Sequence, residues 1–116
     1  MSYLLQYTRR PAPRRRCNAR VDERVRLNHR EFDGGAEVRV FVEDTSRAVR
    51  NQLPSPRLKL RISDCANQIN LEFAVDSPEL RDNSLFKIET LLDALSRFRD
   101  GLIAEATLYA ERERMS

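Results

Sequence analysis

The chain has 116 residues, 41% of them apolar and 34% charged, with a formal net charge of +3. That length suits a single domain with one modest hydrophobic core, and the balance describes a globular chain rather than a disordered one. No apolar run approaches the ~20 residues of a membrane-crossing helix. Residues 1–10 also lack the charged start, apolar stretch and small-residue cleavage site of a signal peptide, so a cytoplasmic protein is expected.

The charge is unevenly placed. Arg9, Arg10, Arg14, Arg15, Arg16 and Arg20 fall within twelve residues that contain Pro11 and Pro13 and no acid. Clustered guanidinium groups repel one another and resist burial, so they call for anionic partners from elsewhere. Residues 1–30 have a balance of +7, and the remaining 86 residues a balance of −4. A basic end on an acidic body suits nucleic acid, or an acidic surface on a protein. Nineteen arginines against two lysines, Lys59 and Lys87, fit a GC-rich genome, but codon usage does not explain the clustering.

In chain order, residues 2–8 read as a short extended segment with Tyr3, Leu4, Leu5 and Tyr7, a candidate edge strand. Residues 9–16 follow as a stiff, solvated linker, because X-Pro pairs favour extended geometry. A single α+β domain is expected over 17–116, with its sheet in 17–76 and its helix in 78–114. Residues 17–32 place Cys17, Ala19, Val21, Val25 and Leu27 on one side. Asp33-Gly34-Gly35 then signals a hairpin in which glycine supplies positive φ. Residues 36–44 alternate, with Ala36, Val38, Val40 and Val42 facing one way and Glu37, Arg39, Phe41 and Glu43 the other. Residues 45–57 are connection, with Thr45 or Ser46 as a cap for one or two helical turns ended by Pro54 and Pro56. Leu58, Leu60 and Ile62 share the next strand face. Ile69, Leu71, Phe73 and Val75 form its match across a turn near 64–68.

Ser77-Pro78-Glu79 is a helix start: a capping hydroxyl, proline at the first helical position, then an acid at the positive dipole end. Asn83 or Ser84 offers a second start. From Leu85 to about Arg114 the period is helical. Leu85, Ile88, Leu91, Leu92, Leu95, Phe98, Leu102, Ile103, Ala106 and Tyr109 fall within a stripe roughly 140° wide. Asp93 and Arg97 form an i,i+4 pair on the opposite side. Some 30 residues make a rod of roughly 45 Å, longer than the ~35 Å diameter of a compact domain this size. The helix is therefore expected to bend near Gly101 or to overhang. Phe86 and Leu108 lie on its polar side, and Arg99 falls inside the stripe with its head in water.

The fold expected is thus α+β, an antiparallel meander-like sheet of four or five strands packed on one long C-terminal amphipathic helix. Chemistry is poorly represented. His29 is the only histidine and has no nucleophile partner, and no phosphate-binding glycine loop exists. Cys17, Cys65 and His29 cannot complete a zinc site. No enzyme, catalytic residue, metal or cofactor is expected. The leading expectation is a non-catalytic protein engaging nucleic acid or a nucleoprotein complex. Its contacts would be Arg9, Arg10, Arg14, Arg15, Arg16 and Arg20, extended by Arg24, Arg26, Arg30 and Arg39 on the outward strand face. Lys59, Arg61, Phe32 and Phe41 share that face, but so do Glu37, Glu43 and Glu72, which are placed to pair with the cations. The alternative is a small protein-binding regulator or inhibitor, such as phage or mobile elements use against host defences. It would contact its partner through the long helix, at Phe86, Arg99 and Leu108, and through its basic surface. A homodimer joined through the helix is a third expectation, and no membrane partner is expected.

Overall fold

A computed structural model describes residues 18–32, 34–47 and 55–115. The architecture is α+β: a four-stranded antiparallel sheet and one long C-terminal helix. The chain divides into two compact units, Met1–Ser77 and Pro78–Ser116, and the boundary falls at the predicted helix start.

The sheet is a simple meander of β1 (Ala19–Arg26), β2 (Glu37–Glu43), β3 (Leu58–Asp64) and β4 (Asn67–Leu71), in that spatial order. Its register follows from the alternation in sequence. Val21, Val25, Val38, Val40, Val42, Leu58, Leu60, Ile62, Ile69 and Leu71 come to one face, because the paired residues match apolar with apolar across all three interfaces. Glu23, opposite Val40, is the exception on that face. Ala36, 6% exposed, is the most deeply covered apolar residue described; Val25, Val38, Val40, Leu60 and Leu71 are half-buried, and Leu27 is exposed. The fourth strand is shorter than its alternation suggests. Phe73 and Val75 lie beyond its end at Leu71. The candidate strand 2–8 and the candidate helical turns after Arg47 lie outside the described residues, while Ser46 and Arg47 form a turn.

The turn at Gly34 and Gly35 departs from expectation, while the β3–β4 turn falls within the expected 64–68. Gly34 and Gly35 do not have positive φ, and β1 and β2 are joined by a longer loop closed by Leu27 N–H donating to the Ala36 carbonyl at 3.0 Å. Inside it, Phe32 N–H donates to the His29 carbonyl at 2.9 Å, and Asn28 Nδ2 donates to the Gly34 carbonyl at 3.1 Å. A Cβ at position 34 would stand 2.9 Å from Asn28 Nδ2, so a larger residue there would displace the end of the Asn28 side chain. Asp33 lies outside the described residues. The left-handed residue is instead Cys65, at φ 56° in the two-residue turn between Asp64 and Asn67. A hairpin this short needs positive φ, and here a residue with a Cβ supplies it.

The helix, α1, runs unbroken over Pro78–Met115, 38 residues or about 57 Å. It therefore starts at the Ser77-Pro78 signal rather than at Leu85, and it continues through Gly101. Glu79 in the first turn and Arg112 and Arg114 in the last complement the helix dipole. Asp93 and Arg97 are not within ion-pair distance. Arg99 and Asp100, adjacent in the same element, form an ion pair at 3.5 Å.

Candidate nucleic-acid interface

Arg24, Arg26 and Arg39 meet on the outward face of the sheet, whereas Arg30, expected there, lies in the loop because β1 ends at Arg26. Register places Arg24 opposite Arg39, and Arg39 opposite Arg61, so three guanidinium side chains form a row across β1, β2 and β3. Like charges directly opposite destabilise a sheet unless carboxylates intervene. Here they stand on the diagonals. Asp22, opposite Phe41, reaches Arg39 Nη1 at 2.7 Å, and Glu37, opposite Arg26, reaches Arg24 Nε at 3.7 Å. Arg39 is the best held, with its side chain 20% exposed and further donation to the carbonyls of Val40 at 3.1 Å and Glu23 at 3.4 Å.

The rim is neutralised in the same way. Arg20 pairs with Asp44 at 3.1 Å, and Arg57 with Glu43 at 3.6 Å, where the Arg57 N–H also donates to Glu43 Oε1 at 2.8 Å. The Ser46 amide donates to Asp44 Oδ1 at 2.9 Å. That bond, with the Ser46 hydroxyl and the Arg20 charge, holds the Asp44 carboxyl below the usual carboxylate range. Arg26 donates to the Phe32 carbonyl at 3.0 Å. His29 is exposed and meets Glu31 at 2.9 Å.

The aromatic platform is also occupied. Guanidinium carbons of Arg39 and Arg57 lie 5.7 and 5.4 Å from the centre of the Phe41 ring, within cation–π range. A base stacking on Phe41 would have to compete with them. Of the outward cations, Lys59 and Arg61 take part in no ion pair.

Arg9, Arg10, Arg14, Arg15 and Arg16 lie outside the described residues. Their charge is nonetheless a property of the sequence. Residues 1–17 carry five arginines and no acid, residues 18–77 carry ten basic and ten acidic side chains, and residues 78–116 carry six basic and eight acidic ones. The whole net positive charge therefore belongs to the first seventeen residues.

On the helix, Phe86 is 70% and Leu108 36% exposed. Twenty-two residues separate them, about 40° around the helix and ~33 Å along it. They share one side, while Arg99 projects from another, so the three do not form a single patch. Arg57 is the residue that sequence reasoning missed, since fourteen residues separate it from its partner Glu43. The Asx turn at Asp44-Thr45-Ser46 did carry a local signal, an Asp followed two residues later by Ser. Among the described residues, no group of three His, Cys, Asp or Glu side chains could hold a metal ion, and no helix is long and apolar enough to cross a membrane. No family model, curated protein or solved structure matches the chain.

Proposed function

We propose that the protein is a non-catalytic binding protein that engages nucleic acid, alone or within a nucleoprotein complex, through its arginine-rich N-terminal region. The observation that carries this reading is the partition of charge. The sheet balances its own charge, and Arg20, Arg24, Arg39 and Arg57 each have a carboxylate of the same unit beside them. The five arginines of residues 9–16 have no acid within their own segment, and the sheet's surplus over its own cations is nil. A polyanion answers that excess, and release of its counterions supplies the affinity.

Filter binding with single-stranded DNA, duplex DNA and RNA over a salt series tests it. Five phosphate contacts give a log–log slope of about −4.5 on duplex DNA and about −3.5 on single strands. Changing Arg14, Arg15 and Arg16 to alanine lowers the slope by roughly 3. Arg24→Ala and Arg39→Ala change it little, because those charges are already paired. An unaltered slope in the triple variant overturns the proposal.

A second reading rests on the helix. Phe86 is exposed, and a large aromatic presented on a polar helix face is a ready anchor for a protein partner. Under that reading the protein is a small regulator or inhibitor, and Phe86→Ser with Leu108→Ser abolishes capture of its partner while helicity is retained.

A further inference from the structure

The two edges of the sheet are unlike. β1 carries Arg20, Asp22, Glu23, Arg24 and Arg26, and its pairing slips register between Ala19 and Val21. Charge and irregularity are the usual means of blunting an edge against further strands. β4 has neither. It reads Asn67-Gln68-Ile69-Asn70-Leu71, with no charge and no proline, and pairs with β3 without a shift from Asp64↔Asn67 to Leu60↔Leu71.

The hairpin geometry says which backbone groups β4 offers. A two-residue turn closes on the hydrogen-bonded pair Asp64 and Asn67, so the amide and carbonyl of Ile69 turn towards β3. By alternation, those of Gln68 and Asn70 point outward. Among the described residues no strand takes them up. Gln68 and Asn70 are exposed, and Ile69 is 57% exposed.

We propose that β4 is a self-pairing edge: a second copy of this chain adds its own β4 antiparallel, about a two-fold axis at Ile69, to make one continuous eight-stranded sheet. In that register Gln68 stands opposite Asn70 of the partner subunit, and Asn70 opposite the partner's Gln68. Each pair exchanges two backbone hydrogen bonds. Ile69 meets Ile69 of the partner subunit at a non-hydrogen-bonded site, where Cα atoms approach to about 4.5 Å and side-chain contact is closest. The side-chain amides of Gln68 and Asn70 each donate and accept, so each strand complements its own copy. A second copy is the occupant that fits because an uncharged strand meets no like charge in its double. Recognition of a foreign strand would rest on charge pairing or side-chain pockets, and β4 supplies no charge for it. Five residues bury less than the ~1,200 Å² of a standard interface, so the dimer is weak, with a Kd on the order of 100 μM. It does not depend on the nucleic-acid reading, and its two-fold symmetry doubles the arginine segments per particle.

Amide hydrogen exchange of the unmodified chain at about 5 and about 500 μM, with light scattering on the same samples, tests the pairing. The mass rises towards twice the monomer value at the higher concentration, and the Gln68 and Asn70 amides slow several-fold while outward amides of β1 do not. A monomer at both concentrations overturns the proposal, and so does a dimer whose slowed amides lie in the helix. Asn70→Pro removes an outward N–H without removing a bond to β3, and Ile69→Lys sets like charges together at the axis. Both abolish the mass increase. Should the proline variant misfold, persistence of the dimer in Ile69→Lys overturns the proposal.

Discussion

The sheet and the helix manage charge over different distances. In the sheet, the ion pairs Arg20–Asp44, Arg24–Glu37, Arg39–Asp22 and Arg57–Glu43 join residues thirteen to twenty-four apart in sequence. In the helix, Arg99 meets its neighbour Asp100, and Arg112 lies over Tyr109 three residues away, 5.6 Å from the ring centre. A strand places its cation by pairing with another strand, whereas a helix can use only what lies within a turn. The difference separates arginines that remain available from those that do not. Register has already supplied a counter-ion to Arg24 and Arg39, whereas residues 9–16 contain five arginines and no acid in their own sequence.

The comparison can be broken most forcefully in the helix, because its order is local and continuous. Ala94→Pro removes one backbone hydrogen bond and clashes with the preceding turn, at a cost of about 3 kcal/mol or more. The far-UV circular dichroism at 222 nm should fall markedly, and an unchanged helical signal would show that α1 is not one continuous element. Backbone strain and freedom come next. Cys65→Gly relieves a left-handed residue in the β3–β4 turn and should stabilise the sheet by about 1 kcal/mol. Gly101→Ala, where an added Cβ meets nothing within 4 Å, should stabilise the helix by about 0.5–1 kcal/mol. Urea denaturation measures both, and a loss in either case means that the site carries a contact beyond its own element.

Ion pairs give smaller effects. A double-mutant cycle on Asp22 and Arg39 should show coupling below about 1 kcal/mol, since the Asp22 side chain is 55% exposed and water screens the pair. The same cycle on Arg99 and Asp100 should give nothing measurable. Asp44 gives a small effect that depends on pH. Its folded-state pKa lies below the ordinary 3.8, so its contribution is present above that pH and disappears as pH falls through the lower folded value. Asp44→Asn should therefore differ from the unmodified chain by a constant amount at neutral pH, and the gap in melting temperature should close only below about pH 4.

Much of this was legible in the chain itself. The alternation of Val38, Val40 and Val42 against Arg39 and Phe41, repeated by Leu58, Leu60 and Ile62, required strands with one apolar face, because successive side chains in an extended backbone point opposite ways. Ser77-Pro78-Glu79 required a helix start, because capping, a preset φ and the dipole act within a single turn. The clustering of arginine before residue 17 needed no structure to be seen. Tertiary structure alone decided which carboxylate stands beside which guanidinium, that Arg57 reaches both Phe41 and Glu43, and that Cys65 rather than a glycine takes the left-handed turn. Those outcomes depend on which residues of distant strands come opposite one another, and register is a property of the assembled sheet that no local stretch of sequence contains.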